Sequence, residues 1–192
     1  MAAISFKVAK CKDCYKCVRI CPVKAIQIKD EHVRYDARDC ILCGQCLEAC
    51  PQDAIIYVSD LNKVKQFLLN GEKMVVSLDP SYLGLWGEVG PGKLRTALKR
   101  FGFDHVRETA EAATYITKAY EKLIQEGEMV NIITSSCASI NELVERYYPD
   151  MIPQMAPVLS PMTAHGMMLK EEYGPDVRVV YIGSCSARGK EA

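Results

Sequence analysis

Two kinds of hydrophobic pattern divide the chain near residue 60. After Asp60, apolar residues recur three and four positions apart, the spacing of amphipathic helices, and these stretches alternate with short apolar runs of buried-strand type. This alternation predicts an α/β domain with a parallel sheet covered by helices. The predicted strands are 74–78, 129–133 and 177–182. Three predicted helices span 91–101, 109–126 and 164–172. A further helix is predicted to begin after its cap at Asp60, and another to run through Ile140 and Tyr147.

The first 59 residues have a different pattern. They contain only short β-type runs, at 25–28, 33–35 and 54–58, and few other large apolar side chains. A segment of this size with so small a core is marginally stable without a metal or a similar cross-link. We therefore expect the N-terminal part to be a small α+β module stabilised by something other than apolar burial.

The cysteines of this segment can hold such a metal. The chain has ten cysteines in 192 residues, and eight of them form an internal repeat with an offset of 29 positions. Each copy reads C-x-x-C-x-x-C-x-x-x-C-P, which is the ligand spacing of a bacterial ferredoxin with two 4Fe–4S clusters. In this motif the fourth cysteine of each run binds the other cluster. The spacing therefore predicts one cluster on Cys11, Cys14, Cys17 and Cys50, and a second on Cys21, Cys40, Cys43 and Cys46.

A pair of zinc sites is the alternative. Tetrahedral zinc is usually held by two C-x-x-C pairs with a longer spacer between them, which leaves the third cysteine of each run and the prolines Pro22 and Pro51 without a role. The iron–sulfur interpretation uses all eight cysteines, and we favour it. The spacing C-x-x-x-C-x-x-C, which would indicate radical-SAM chemistry, does not occur in the sequence.

Composition excludes several classes of function. The 24 Lys and Arg residues balance 24 Asp and Glu residues, so the chain lacks the basic excess of a general nucleic-acid-binding protein. No apolar run approaches the ~20 residues of a membrane span, and residues 1–10 do not resemble a signal peptide. We expect a soluble cytoplasmic protein, in which numerous cysteines indicate metal or redox chemistry rather than disulfides.

The other two cysteines, Cys137 and Cys185, each follow a predicted strand. The carboxyl ends of parallel strands are where open α/β sheets bind ligands. Ser139 to Glu142 has the pattern of a capping box, which places Cys137 just before a helix N-terminus. Two free cysteines are often no more than buried apolar side chains, so the residues alone leave both a ligand role and a packing role open.

From about Met74 onward, the sequence resembles the catalytic domain of the FeFe hydrogenase large subunit. Thr134-Ser135-Ser136-Cys137-Ala138 matches the family motif TSCCP, and Gly183 to Glu191 matches the motif MPCxxKxxE. The resemblance implies that Cys137 and Cys185 are two of the four cysteines that hold the cubane of the active-site cluster. It also implies that Glu191 is the motif glutamate and that Arg188 stands where the family has a lysine.

The departures from the family pattern concern catalysis. Ser136 occupies the position of the proton-relay cysteine, and a serine hydroxyl titrates far above a thiol. The third family motif, which supplies the remaining two cluster cysteines, is absent before Ala192, so we expect a C-terminally truncated piece of a longer protein. This chain alone is expected not to be catalytic.

These inferences define three domains and three candidate functions. The expected domains are a ferredoxin module at 1–59, a linker helix at 60–72 and part of a hydrogenase-like α/β domain at 73–192. The favoured function is an electron relay, in a redox- or hydrogen-sensing protein, that serves a redox partner or a downstream output domain. The alternatives are a fragment of an active hydrogenase and a simple ferredoxin-type carrier with a docking domain.

Overall fold

The computed structural model describes residues 4–191. It contains seven short strands and, between and around them, nine α-helices and three 3₁₀ turns among the described residues. The strands are β1 (Ile4–Phe6), β2 (Ile26–Lys29), β3 (His32–Tyr35), β4 (Ile55–Tyr57), β5 (Met74–Leu78), β6 (His105–Glu108) and β7 (Arg178–Ile182).

The helices vary from one turn to nearly five. They are α1 (Lys16–Ile20), α2 (Gln45–Ala49), α3 (Leu61–Leu69), α4 (Tyr82–Trp86), α5 (Pro91–Arg100), α6 (Ala110–Glu126), α7 (Ala138–Tyr147), α8 (Pro161–Tyr173) and α9 (Arg188–Glu191). The 3₁₀ turns are Val8–Lys10, Gly87–Val89 and Pro149–Gln154.

Contacts within the chain define two compact units. The first contains residues 4–59 together with 137–153 and 185–191, and the second contains 60–136 and 154–184. Two segments that lie in the second domain of the sequence-based division, those that begin with Cys137 and Cys185, therefore belong to the first unit. Residues 1–3 and 192, at the outer ends of the predicted domains, lie outside the described residues.

The cysteine repeat is also a structural repeat. Strand β1 pairs with β4 and β2 with β3, both antiparallel, and an offset of 29 residues converts one pair into the other. The same offset converts α1 into α2. Phe6 and Tyr35, which are also equivalent, stack with their ring centroids 5.5 Å apart. The core of this unit is small and mixes Ile4, Ile26 and Ile55 with cysteine side chains.

The second unit contains a three-stranded parallel sheet with β5 in the centre, between β6 and β7. All five residues of β5 are buried. Met74, Val76 and Leu78 pack with side chains of α3 and α5, whereas Val75 packs with Leu169 of α8 on the opposite face. Because both faces of β5 are covered, four of its five residues are apolar, and the polar one, Ser77, is buried as well. The predicted parallel, covered sheet is confirmed.

One predicted strand is wrong, and two strands, β1 and β6, were not predicted. Residues 129–133 form no strand: Val130 is 98% exposed, and only Ile133 makes an isolated bridge, to Met155. An apolar run becomes a strand only when a sheet edge pairs with its backbone, and among the described residues this run pairs with neither edge strand, β6 or β7. Strand β6 was missed because it lies at an edge and buries only Val106.

The starts of α3 and α8 agree only in part with the prediction. Asp60 occupies the N-cap position of α3, as predicted, but its side chain makes no capping hydrogen bond. Helix α8 begins at Pro161, three residues before the predicted start. There the Ser160 hydroxyl accepts a hydrogen bond from the Thr163 N–H, and proline fits the first helical turn.

A buried polar contact connects the sheet to α8. The Nδ1 atom of His165 lies 2.8 Å from the Ser77 hydroxyl, which lies 2.9 Å from the Thr109 hydroxyl. All three residues are almost fully buried. Burial lowers the pKa of His165, so the imidazole is neutral at pH 7 and serves as a structural side chain in this unit.

Gly102 provides a test of the packing between α3 and α5. Its φ is +111°, which L-residues rarely adopt, and a Cβ atom there would lie 2.9 Å from Leu68. We expect Gly102→Ala to destabilise the second unit by about 1–2 kcal/mol, measured by urea unfolding with Trp86 fluorescence. The control is Gly84→Ala in α4, where a Cβ meets no atom within 4 Å and alanine favours the helix. Equal effects of the two substitutions on the free energy of unfolding would show that the backbone conformation of Gly102 and its contact with Leu68 are not the cause.

Candidate metal centres

The two cysteine loops have the same unusual backbone. Asp13 and Tyr15 in the first loop have positive φ, and so do the equivalent residues Leu42 and Gly44 in the second. Left-handed residues turn the chain sharply, so that the three cysteines of each loop surround one space rather than lie along a line. Only Gly44 is a glycine, which means that three of these four positions carry conformational strain.

Each loop encloses part of a cavity that a cysteine from the other repeat completes. The first cavity, with an empty volume of about 320 Å³ that is partly open to solvent, is lined by Cys11, Cys14, Cys17 and Cys50. The second, of about the same volume, is lined by Cys21, Cys40, Cys43 and Cys46. The structure thus brings together the two predicted sets of four, including the exchange of the fourth cysteine.

The residues fit a cluster with several metal atoms. In each set the four thiols line one cavity, and thiolates are the usual ligands of 4Fe–4S clusters. Backbone N–H groups point at two of the sulfurs: those of Leu42 and Ala54 lie 3.3 Å from the Sγ atoms of Cys40 and Cys50.

Burial keeps the innermost thiols protonated until metal binds. Burial raises the pKa of Cys17, and it raises the pKa of Cys46 to about 12, with neighbouring cysteines adding to both effects. Coordination by metal deprotonates a thiol outright. Cluster assembly in these cavities therefore releases protons and replaces neutral thiols with ligated thiolates.

Cys137 and Cys185 lie in the same unit as the two cavities. Cys137 is the N-cap of α7, and both cysteine side chains are exposed. The alanines that follow closely, Ala138 and Ala187, are buried in the same core as the ligand cysteines. The predicted position of Cys137 before a helix is therefore confirmed, and neither cysteine has the buried, purely packing role that was the alternative.

Three hydrogen bonds attach these two segments to the second cysteine loop and the residues just before it. The Ser186 hydroxyl donates to the Leu42 carbonyl oxygen at 2.8 Å. On α7, the Tyr147 hydroxyl donates to the Asp39 carbonyl at 2.7 Å, and the Arg146 guanidinium donates to the Ala37 carbonyl at 3.4 Å. The second loop is thus held by both segments.

An ion-pair network connects the two segments to each other. Glu142 on α7 is buried and accepts from Arg146 on the same helix and from Lys190 on α9. Burial opposes ionisation of Glu142, but the hydrogen bonds from these two cations outweigh it and hold its pKa below the ordinary value. The predicted capping box is therefore wrong: helix α7 begins at Ala138, and Glu142 pairs with cations instead of capping.

Other residues that the resemblance singled out have structural partners. Arg188 forms an ion pair with Glu191 at 2.8 Å, and both side chains are largely buried. The positive charge of Arg188 is therefore balanced locally. Ser136 is half-buried beside Ser135, whose hydroxyl donates to the Val158 carbonyl oxygen. Sequence analysis missed the contacts of Ser186 with Leu42, of Arg146 with Ala37 and of Lys190 with Glu142, because these partners lie more than 40 residues apart in the chain.

Comparison with known proteins identifies both parts of the chain. The model of the iron-only hydrogenase large subunit, C-terminal domain, matches residues 72–192. The chain belongs to this family. A 4Fe–4S dicluster domain matches residues 3–66. The cofactors of this hydrogenase-like protein are therefore 4Fe–4S clusters, and its general class is that of iron–sulfur electron-transfer proteins.

Individual relatives agree with the family. The chain is 32% identical over 153 residues to the NADP-reducing hydrogenase subunit HndD of Solidesulfovibrio fructosivorans, covering 70% of this chain and 26% of the relative. It is 29% identical over 208 residues to the periplasmic Fe hydrogenase large subunit of Nitratidesulfovibrio vulgaris, covering 95% and 49% respectively. The chain thus spans between a quarter and a half of these relatives.

A solved structure shares the fold. An FeFe-hydrogenase, studied for the modification and degradation of its H cluster 2Fe subcluster by oxygen, superposes with a TM-score of 0.60. The match covers 70% of this chain and 41% of that structure, at 24% identity. None of the described helices has the length and apolar character that crossing a membrane requires.

Paired substitutions test the exchange of the fourth cysteine. If Cys11 and Cys50 bind one cluster, Cys11→Ser/Cys50→Ser removes that cluster only and leaves about four irons per chain. Cys11→Ser/Cys21→Ser damages both clusters and leaves almost none. Iron and acid-labile sulfide analysis of anaerobically reconstituted protein measures both. The reverse pattern would show that each cluster takes all four ligands from its own repeat.

The Glu142 network predicts a pH-dependent contribution to stability. Glu142→Gln leaves Lys190 and Arg146 without their anion, and we expect a loss of about 1–3 kcal/mol at pH 7. Since the pKa of Glu142 is lowered by folding, this contribution is present above the unfolded value of about 4.3 and disappears as the pH falls through the folded value. The variant and the wild type should therefore converge in acid.

Urea unfolding followed by circular dichroism, between neutral and mildly acidic pH, measures this difference. Glu145→Gln is the matched control, because Glu145 lies on the same helix but is exposed. A difference that persists unchanged in acid would assign the effect of Glu142→Gln to packing rather than to charge.

Proposed function

We propose that this chain is an electron relay. Single electrons pass through two 4Fe–4S clusters, one held by Cys11, Cys14, Cys17 and Cys50 and the other by Cys21, Cys40, Cys43 and Cys46, toward the segments that carry Cys137 and Cys185. One observation supports this most strongly: both cysteine-lined cavities and both of these segments belong to one compact unit.

The chain's own residues have three tasks in the relay. The thiolates fix the clusters, and the N–H groups of Leu42 and Ala54 stabilise negative charge on ligand sulfur. Apolar side chains, among them Phe6 and Val33 at the first cavity and Ile26 and Ile41 at the second, exclude water. A bound 4Fe–4S cluster supplies one-electron chemistry, and hydrogen bonding and solvent exclusion set its potential.

Cys137 and Cys185 supply two thiols for a further cluster in the intact protein. The position of Cys137 at the start of α7 favours an anionic ligand, because the helix N-terminus carries partial positive charge. The hydrogen bond from Ser186 to the Leu42 carbonyl keeps the Cys185 segment next to the second cysteine loop. Electrons that reach the second cluster are then close to this additional site.

Hydrogen conversion is the second candidate, and the names of the relatives favour it. Ser136 argues against efficient catalysis. A hydroxyl there holds its proton far more tightly than a thiol, so proton delivery through this position is slow. We therefore favour a redox- or hydrogen-sensing role, in which a redox partner protein or an output domain receives the signal. Cytoplasmic location is part of the same proposal.

Metal analysis and reductive titration test the relay. Anaerobically purified protein should contain about eight irons and eight sulfides per chain and take up about two electrons, one for each cluster. Cys137→Ser/Cys185→Ser should leave these values unchanged. If the wild type contains more than eight irons per chain, the same substitutions should remove the excess. About twelve irons in the wild type would show that a third cluster forms on this chain.

Three results would contradict the proposal. Zinc without sulfide would replace the iron–sulfur centres with zinc sites. Sustained hydrogen formation from a reduced viologen would replace the relay with the second candidate. Unchanged electron transfer from the clusters to an added acceptor after loss of Cys137 and Cys185 would favour a simple carrier instead.

A further inference from the structure

The two cysteine loops carry opposite charge although they share one backbone. From residue 7 to residue 19 the chain has five basic side chains and one acidic side chain. The equivalent stretch, 36–48, has one basic and three acidic side chains. Three equivalent pairs reverse their charge outright, and these pairs are Lys7 and Asp36, Lys10 and Asp39, and Arg19 and Glu48.

Compensation of cluster charge does not explain this difference. Both loops surround a four-cysteine cavity of the same size, so both face the same negative charge when a 4Fe–4S cluster is bound. If the basic residues served to neutralise that charge, the second loop would need them equally. Its acidic residues show that the fold tolerates either sign at these positions.

The basic side chains are available to a partner. Lys7, Lys10, Lys12, Lys16 and Arg19 are all exposed, and within the described part of the chain none of them forms an ion pair. Asp13, the one acidic residue among them, instead faces His32 at 3.1 Å. These five basic side chains belong to the segment that forms the first cavity, which Lys16 lines and whose Cys14 is exposed. The Arg19 guanidinium donates to the Cys14 carbonyl oxygen at 3.3 Å, and among the described residues no carboxylate balances its charge.

The surroundings of the two loops also differ. Hydrogen bonds from Arg146, Tyr147 and Ser186 reach the second loop and the residues just before it from the segments of Cys137 and Cys185. The side-chain hydrogen bonds of the first loop stay within residues 4–59, such as that from Tyr15 to the Glu31 carbonyl. The first loop is thus the one that keeps a free surface. Cys43 of the second loop is exposed as well. The loops therefore differ in the charge of their side chains and in their hydrogen bonds to the segments of Cys137 and Cys185, and not in the exposure of a single thiol.

We propose that the basic surface formed by Lys7, Lys10, Lys12, Lys16 and Arg19 docks an acidic one-electron carrier protein. The proposal rests on the relay function. On docking, one electron leaves the reduced carrier and enters the oxidised cluster at Cys11, Cys14, Cys17 and Cys50, with no bond formed or broken. Complementary charge steers such encounters and raises association rates, most strongly at low salt.

The repeat itself provides the test substitutions. Lys7→Asp/Lys10→Asp/Arg19→Glu places the residues of the second loop on the equivalent backbone of the first. The control, Lys63→Asp/Lys65→Asp/Lys118→Glu, changes net charge equally at exposed residues of the second unit. If the first variant fails to assemble its clusters, Lys10→Gln/Lys12→Gln/Lys16→Gln removes charge without reversing it.

Two measurements use the reconstituted protein and an acidic two-cluster ferredoxin as the probe. Calorimetric titration gives the affinity, and stopped-flow absorbance gives the second-order rate of electron transfer. We expect the loop variant to lose about tenfold or more in both at low ionic strength, with the difference disappearing in high salt. The control variant should match the wild type within about twofold.

Further electron donors and binding partners distinguish a failure of the relay function from a failure of the docking proposal. The reduced form of a zwitterionic viologen, whose approach the charge of the protein does not steer strongly, should reduce all variants at the same rate. If it reduces none of them, the relay function fails. If it reduces all of them and the ferredoxin does not distinguish the loop variant from the control, the docking proposal fails. Stronger binding to a basic cytochrome or to anionic lipid vesicles than to the ferredoxin would also overturn the proposal.

Discussion

The exchange of the fourth cysteine between the two repeats is the constraint on which the first unit depends. Each cavity is lined by three cysteines of one loop and one cysteine that follows the other loop's helix, Cys50 for the first and Cys21 for the second. Neither half lines a four-cysteine cavity alone. A cluster in either cavity thus connects both halves, in a unit whose apolar core is too small to do so.

The same constraint explains the strained loops and the mixed core. Asp13, Tyr15 and Leu42 have positive φ because three thiols spaced three residues apart reach one cavity only if the chain turns sharply. Such strain persists where the surroundings stabilise it, and ligation by a cluster provides that stabilisation. Cys17, Cys21 and Cys46 then fill core positions that large apolar residues occupy in other small domains.

The hydrogenase-like part is organised around a different principle. Its strand β5 is covered on both faces and holds the second unit together, yet the two segments that begin with Cys137 and Cys185 belong to the first unit. Glu142 joins these segments through Lys190, and Ser186 joins them to the second cysteine loop. The two cysteines that the family resemblance singles out therefore lie in segments that pack with the cysteine repeat and not with the parallel sheet.

The internal repeat makes the comparison of the two loops unusually direct. The two loops share their left-handed positions and the helix that follows, so the difference in side-chain charge accompanies a difference in surroundings. Lys10 and Asp39 illustrate this: each lies just before the first cysteine of its run, but the Asp39 carbonyl accepts from Tyr147 and Lys10 has no such neighbour.

The sequence by itself determined the local features of the fold. The cysteine spacing predicted which thiols share a cavity, and the apolar run of β5 and the spacing in α3, α5 and α6 predicted their elements, because these depend on residues close in the chain. Only the tertiary structure decided the rest. Whether residues 129–133 form a strand depends on a sheet edge, and whether Glu142 caps a helix or pairs with Lys190 depends on a segment 48 positions away. Contacts of this kind leave no local pattern, because their energy comes from partners that only folding brings together.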